Sequence, residues 1–115
     1  MSSHSLGDKV AIVAMGCTAF KDHWDKSTDD LLIDAVVECL HMVEGVDKQD
    51  IDAYWVGTQG SGMAGVTLSR PLQLQGKPVT RVENYCATGS ESFRNACFAV
   101  ASGAYDIVMA TGVEK

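Results

Sequence analysis

Residues 78–111 read PVTRVENYCATGSESFRNACFAVASGAYDIVMAT, and this stretch decides the fold. The run at 78–85 is apolar and strand-like, and the run at 106–111 (DIVMAT) has the same character. Between them, the small residues of 87–102 predict a helix. A strand, a helix and a second strand in this order predict a parallel pair of strands joined by a crossover helix.

The rest of the chain continues this alternation of strands and helices. The continuous apolar run at 9–15 (KVAIVAM) predicts a strand covered on both faces, and residues 51–57 (IDAYWVG) predict another. Between them, Ser27 followed by Asp30 resembles a capping box, after which residues 31–43 carry a helix. The sequence therefore predicts an α/β fold with a largely parallel sheet.

Length and composition limit the class of protein. The chain has 115 residues, of which 46% are hydrophobic and 21% charged, as expected for one globular domain. The net charge of −6 argues against nucleic acid or an anionic membrane as a main partner. No apolar run is long enough to cross a bilayer. Residues 1–8 are polar and predict a disordered tail rather than a signal peptide.

The chain contains four cysteines and no C-x-x-C pair. This spacing favours reduced thiols in a cytoplasmic protein over disulfides or a zinc site. Cys17, Cys39 and Cys97 are predicted to be core residues, because a free cysteine is most often a small buried hydrophobe.

Cys86 stands apart because it lies at the junction between the predicted strand at 78–85 and the helix that follows. Unpaired backbone N–H groups and the positive end of the helix dipole converge at such a junction, and both favour the nucleophilic thiolate. The same N–H groups could hold a developing oxyanion. The structural alternative is that Cys86 is a buried side chain without chemistry.

A nucleophilic thiol also needs a base, and the sequence does not reveal one. His4 lies in the predicted tail, His23 in an acidic loop, and His41 on the polar stripe of the first predicted helix. None of them follows a glycine-rich turn at a strand end, where a second active-site loop is expected. We therefore expect the base for Cys86 to come from outside this chain.

Two further patterns have structural explanations that we favour. Residues 60–65 (GSGMAG) match the G-x-G-x-x-G letters of a dinucleotide fingerprint, but Pro71 would interrupt the helix that the fingerprint needs. A flexible loop at a subunit contact or substrate channel is the better interpretation. An acidic cluster suggests a metal site but fits a solvated loop and helix start better, and no metal is predicted. It comprises Asp22, His23, Asp25, Asp29 and Asp30.

Four segments together resemble the thiolase superfamily. They are KVAIVAMGCTAF (9–20), WDKSTDDLLIDAV (24–36), IDAYWVGTQGSG (51–62) and the stretch from 78 to 115 that ends in GVEK. The nearest branch is similar to sterol-carrier-protein-type thiolases and lipid-transfer-protein thiolases. The resemblance implies a fold of two βαβαβαββ halves stacked as α-β-α-β-α layers. Residues 9–115 match most of the first, N-terminal half, and the C-terminal half is absent.

The resemblance also implies an acyltransferase acting on acyl-CoA thioesters, by 3-ketoacyl-CoA thiolysis or acetyl-CoA condensation. Cys86 matches the cysteine that carries the acyl group as a thioester, and Asn84, Thr88 and Gly89 match its motif, with positioning roles. Coenzyme A is the co-substrate, and no other cofactor is implied. The activating histidines belong to the second half, so we expect the 115-residue chain to be inactive alone.

The family also implies partners and alternatives. The strand at 78–85 commonly pairs with its two-fold mate in a homodimer, and some members act with a small partner protein. Some thiolase-like lipid-transfer proteins are instead retro-aldolases for steroid side-chain CoA thioesters. A third possibility is a non-catalytic assembly or binding module, which the missing base favours.

Overall fold

A computed structural model describes residues 5–115 of the chain. Its elements alternate along the sequence, with three helices, three strands and one short 3-10 turn in this described part. They are α1 (Thr28–Met42), β1 (Ala53–Gly57), α2 (Val66–Ser69), β2 (Val79–Val82), the 3-10 turn Tyr85–Ala87, α3 (Thr88–Ala101) and β3 (Val108–Gly112).

The three strands form one sheet in the order β2-β1-β3, and both pairings are parallel. The register places Tyr54 of β1 opposite Val79 of β2 and Met109 of β3. Parallel neighbours require crossovers through other elements, and α3 lies between β2 and β3 in the chain. The predicted α/β fold with a parallel sheet is confirmed.

The start of α1 follows from its capping box. The Ser27 hydroxyl accepts the Asp30 backbone N–H at 3.1 Å, and the Asp30 carboxylate accepts the Ser27 backbone N–H at 2.8 Å. Two backbone donors that the helix leaves unpaired are satisfied in this way, and loss of such a cap costs about 0.5–2 kcal/mol. The predicted helix is confirmed, although it begins at Thr28 rather than at residue 31.

The sheet is covered on both faces. Side chains alternate along a strand, so Tyr54 and Val56 point to one face of β1, where they join α1 and α2 in the main core. Gly57 points to the other face and packs against Thr88 and Ser92 of α3. The buried core cluster consists of Leu32, Val36, Ile51, Tyr54, Val56, Leu68, Leu72 and Met109. The result is a layered arrangement with α3 on one side and α1 on the other.

The strand predicted at residues 9–15 is wrong. These residues, all within the described part, belong to no strand or sheet, and Ile12, Val13 and Met15 are each 65% exposed. A cavity of about 430 Å³ lies between residues 10–14 and β3, so the two backbones do not pair. An apolar run indicates a preference for burial, whereas a strand also needs a neighbouring backbone within hydrogen-bonding distance.

The predicted polar tail lies partly outside the described residues, since the structure describes the chain only from Ser5 onward. At its end, the Lys9 backbone N–H donates to the Leu6 carbonyl oxygen at 3.2 Å and closes a turn. Across residues 5–115, no helix combines the length and apolar character that a bilayer crossing requires.

Candidate active site

Cys86 lies in the 3-10 turn Tyr85–Ala87, between the end of β2 and the start of α3. This is the strand-to-helix junction at which the sequence places it. Cys86 is exposed rather than buried. The structural alternative of a buried side chain therefore does not describe Cys86 in this chain.

A sharp reversal of the backbone directly precedes Cys86. Tyr85 has φ of 47°, in the left-handed region that a large side chain rarely adopts. Its backbone N–H donates to the Glu83 carboxylate at 2.5 Å. Such a conformation costs of order 1–3 kcal/mol and persists only where surrounding contacts hold it. The strained residue therefore turns the chain from β2 into α3 with Cys86 on the outside of the bend.

Thr88 provides the contacts that hold this bend. Its hydroxyl donates to the Tyr85 carbonyl oxygen at 2.6 Å and accepts the Asn84 backbone N–H at 2.8 Å. The Ala87 N–H adds a bond to the Asn84 carbonyl oxygen at 2.9 Å. Thr88 is only 8% exposed, so its hydroxyl is shielded from competing water. The hydroxyl thus bridges both sides of the bend that carries Cys86.

Asn84 and Gly89 differ from Thr88 in their surroundings. Asn84 contributes its backbone to the bend, while the residue itself is exposed. A Cβ added at Gly89 would meet no atom within 4 Å, so Gly89 leaves open space in the first turn of α3. The structure therefore brings Thr88 and the Asn84 backbone together around Cys86 and keeps the approach past Gly89 unobstructed.

The end of β1 packs against the residue that holds this bend. A Cβ added at Gly57 would lie 3.0 Å from Thr88 Cγ2 and 3.1 Å from the Thr88 carbonyl oxygen. Such distances are tighter than most Cβ contacts, so any larger residue at position 57 would require Thr88 to shift. The end of β1 and the first turn of α3 therefore pack against each other next to the Cys86 turn.

Neither of the two histidines within residues 5–115, His23 and His41, hydrogen-bonds to Cys86. His23 Nε2 lies 2.7 Å from the Ala19 carbonyl oxygen, and His41 is exposed near the end of α1. No hydrogen bond joins a histidine to Cys86 anywhere in residues 5–115, and His4 lies outside this range. The described residues also contain no group of three or more His, Cys, Asp or Glu placed to hold a metal ion.

The other cysteines follow their predictions only in part. Cys39 and Cys97 are half-buried, and burial raises the pKa of the Cys39 thiol. Cys17 is exposed, so its predicted place in the core is wrong. Cys17 belongs to residues 10–19, which form no helix or strand and lack the sheet neighbours that would have buried this side chain.

The glycine-rich loop at 60–65 leads into α2, which begins at Val66 and has only four residues. A helix this short does not complete a dinucleotide fingerprint, as predicted from Pro71. The first two residues of this loop, Gly60 and Ser61, donate hydrogen bonds to the Glu114 carboxylate, and the flexibility of the loop stays a prediction. Sequence reasoning missed Glu114. Its place directly after a parallel strand, at the sheet edge where sites form, was the available signal.

Comparisons with known proteins agree with this architecture. The family described as "Thiolase, N-terminal domain" matches residues 10–115. An acetyl-CoA acetyltransferase of Methanocaldococcus jannaschii is 38% identical over 112 residues, which cover 92% of this chain and 28% of the relative. An acetyl-CoA acetyltransferase of Methanothermobacter thermautotrophicus is 36% identical over 112 residues, covering 92% of this chain and 29% of that relative.

The chain therefore spans less than a third of the length of these two relatives. Neither relative's name refers to sterol carriers, so the nearest branch stays a prediction. The family match extends over nearly all of the described residues, including the Cys86 turn and all three strands. From this match we conclude that the chain belongs to the thiolase family, within its N-terminal domain.

Proposed function

We propose that this chain is part of a thiolase-type acyltransferase that acts on acyl-CoA thioesters, with Cys86 as the residue that carries the acyl group. The observation that supports this most directly is the exposed thiol on a strained strand-to-helix turn. Strain retained at an exposed nucleophile is typical of a functional position. The names of the two relatives give the same reaction class.

In the thiolysis direction, the Cys86 thiolate attacks the 3-keto carbonyl carbon of a 3-ketoacyl-CoA. The bond between C2 and C3 then breaks, and its electron pair stays on C2 of the departing acetyl-CoA, which takes up a proton. The shortened acyl group remains on the sulfur as a thioester. The thiol of free coenzyme A then attacks this thioester and releases the new acyl-CoA and the Cys86 thiolate. Condensation of two acyl-CoA molecules reverses these steps.

The chain's own contribution is to present and orient the sulfur. Thr88 fixes the bend, and Cys86 lies directly before the positive end of α3, where negative charge on sulfur or oxygen is stabilised. We infer that the base that removes the thiol proton comes from outside residues 5–115, because neither His23 nor His41 hydrogen-bonds to Cys86. Coenzyme A serves as co-substrate, and acyl transfer between two thiols involves no net oxidation or reduction.

We also propose that β2 forms a homodimer contact. β2 is an edge strand, since it pairs with β1 alone in the sheet order β2-β1-β3. An unpaired strand edge can extend a sheet across a two-fold axis. This contact would place two Cys86 turns close to the dimer interface, because Cys86 follows β2 by only a few residues.

A non-catalytic assembly module is the second candidate. Its support is the exposed apolar surface of the N-terminal segment, where Ile12, Val13 and Met15 are each 65% exposed. Apolar residues that cluster on a surface indicate a contact with another polypeptide. This candidate requires Cys86 to have no special reactivity.

Alkylation separates the two functions within one molecule. The 115-residue chain is treated with limiting iodoacetamide at neutral pH, and the modified fraction of each cysteine is followed by peptide mapping. Cys17 is the matched control, because it is exposed like Cys86 but lies in no helix or strand and away from any helix start. We expect Cys86 to react faster than Cys17, since only Cys86 lies on a strained turn next to the start of a helix.

Equal rates at Cys86 and Cys17 would remove the support that the strand-to-helix turn gives to a nucleophilic Cys86 and would favour the assembly module. If Cys86 reacts faster, the Cys86→Ala variant must lose the fast-reacting site, and the Cys97→Ala variant must keep it.

A further inference from the structure

Three backbone segments end together at the carboxyl edge of the sheet. The Thr58 backbone N–H donates to the Val82 carbonyl oxygen at 3.3 Å, which joins the end of β1 to the end of β2. The Val113 N–H donates to the Gly57 carbonyl oxygen at 3.0 Å, which joins the end of β3 to the end of β1. The Cys86 turn leaves from the same edge, since it follows β2. Residues 58–61, which we call the 58–61 loop, begin at this meeting point.

The Glu114 carboxylate binds hydrogen-bond donors of the 58–61 loop. The carboxylate accepts the backbone N–H groups of Gln59 at 2.7 Å and Gly60 at 3.0 Å, and the Ser61 hydroxyl at 2.8 Å. These bonds, led by the one from Gln59, lower the pKa of Glu114 below its usual range. Hydrogen bonds to a carboxylate are roughly twice as strong as those between neutral groups. The loop is thereby fixed from the end of β3.

The Arg81 guanidinium binds hydrogen-bond acceptors of the same loop. One guanidinium nitrogen, Nη2, donates to the carbonyl oxygens of Thr58 at 2.9 Å and Gln59 at 3.0 Å. Donors and acceptors of one short segment are therefore bound by two opposite charges, one on β2 and one just after β3. Thr58 is only 1% exposed and its backbone groups need protein partners, whereas water could satisfy the exposed Gln59 and Gly60, which are nevertheless bound by Glu114.

We propose that Glu114 is a positioning residue for the Cys86 site, acting through the 58–61 loop and Gly57. The inference rests on the proposed function of Cys86. Gly57 precedes the loop directly and packs against Thr88, whose hydroxyl holds the bend around Cys86. When Glu114 is hydrogen-bonded to the loop, Gly57 keeps its contact with Thr88, and the bend keeps its conformation. Without Glu114, the end of β1 moves more freely and the Cys86 turn loses its support.

Amide hydrogen exchange in the 115-residue chain tests the first step. In Glu114→Ala, exchange at Gln59 and Gly60 should rise by about tenfold or more, the effect expected for loss of bonds to a charged acceptor. Exchange at Asn84 and Ala87, whose N–H groups belong to the Cys86 bend, should rise as well. Glu114→Gln keeps one acceptor oxygen and should show a smaller rise at the same amides.

Asp52, which directly precedes β1, provides a matched control at the amino ends of the strands. Its carboxylate accepts the backbone N–H groups of Asp106 at 2.9 Å and Ile107 at 3.1 Å, the same chemistry as Glu114. In Asp52→Ala, exchange should rise at Asp106 and Ile107 and stay as in the parent chain at the Cys86 bend. A general loss of stability would raise exchange at both edges in both variants and would overturn the proposal.

Cysteine reactivity tests the second step. In Glu114→Ala, the alkylation rate of Cys86 should slow by roughly two- to fivefold, the size of a helix-end effect on a charged group. Removing a negative charge without moving the turn would instead speed alkylation, and would do so equally in Glu114→Gln. Unchanged exchange in the 58–61 loop, or faster loop exchange with unchanged Cys86 reactivity, would overturn the proposal.

The proposed function of Cys86 and the positioning role of Glu114 are contradicted by different results. If Cys86 is no more reactive than Cys17 in the parent chain, the proposed function loses the support of the strand-to-helix turn, and exchange at Asn84 and Ala87 still decides whether Glu114 supports the bend. If Cys86 is selectively reactive in the parent chain and equally so in Glu114→Ala, the function stands and the role of Glu114 is wrong.

Discussion

The hydroxyl of Thr88 donates a 2.6 Å hydrogen bond to the carbonyl oxygen of Tyr85, the residue held at φ of 47°. The left-handed conformation of Tyr85 is costly by itself, so the bond from Thr88 is what makes the bend stable. Cys86 lies between these two residues. The position of its sulfur is therefore set by a buried side chain only two residues further along the chain.

Thr88→Val should loosen the Cys86 bend without changing the volume of the core. The variant removes both bonds of the hydroxyl and leaves the Asn84 N–H without its partner, which should destabilise the chain by about 1–3 kcal/mol. Urea unfolding measures the change. Thr80→Val, at an exposed position of β2, should shift the midpoint little, and equal effects of the two variants would contradict a special role for Thr88.

Gly57→Ala should be harmful because the new methyl group meets Thr88 at 3.0 Å. The neighbour must move, and overpacking of this kind costs about 1–3 kcal/mol. Gly112→Ala is the control, since its methyl group would lie 3.6 Å from the Gly57 carbonyl oxygen, an ordinary contact. Thermal unfolding should separate the two variants. Similar melting temperatures would mean that the contact between Gly57 and Thr88 can relax.

Acid should destabilise the fold through carboxylates that bind backbone N–H groups. Such bonds lower the pKa of Asp52, through Ile107 first, of Asp30, through Ser27 first, and of Glu114. A lowered folded-state pKa means that this stability is present above the usual values of 3.8 and 4.5 and is lost as pH falls through the folded values. Urea unfolding over a pH series should show the decline. The double variant Asp52→Asn, Glu114→Gln should show a weaker dependence, and an equally steep one would contradict this assignment.

Alkali should act through Tyr54, which is only 1% exposed and donates its hydroxyl proton to the Lys48 carbonyl oxygen at 2.9 Å. Burial raises the pKa of Tyr54 from 10.0 to about 12. The folded state therefore holds this proton more tightly, so stability is full below pH 10.0 and declines as pH rises toward about 12. Tyr54→Phe should lack this alkaline loss in urea unfolding. Tyr105, which is not in the core, serves as the control through Tyr105→Phe.

Local signals in the sequence were sufficient for much of the fold. Ser27 and Asp30 predicted the start of α1 because a capping box involves only neighbouring residues. The apolar runs at 51–57 and 106–111 predicted β1 and β3, although each observed strand is shorter than its run. The run at 9–15 failed despite equal apolarity. Its status depends on a neighbouring backbone, which composition does not report.

The candidate site was predictable only at its centre. The change from strand pattern to helix pattern located Cys86, because both patterns are periodic and local. The left-handed Tyr85 and the two bonds of Thr88 gave no signal, since many sequences can form a bend without them. The bond from Gln59 to Glu114 spans 55 residues, and no local rule connects positions so far apart.

The order of the strands also governs how this chain can fold. β1 is the central strand, yet its register with β3 pairs Ala53 with Val108, far along the chain. Contacts between distant residues close large loops before they gain stability, and this slows folding. During synthesis, β1 leaves the ribosome well before β3 exists and keeps one edge unpaired throughout that interval. Assembly of the edge that supports Cys86 therefore has to wait until β3 is available.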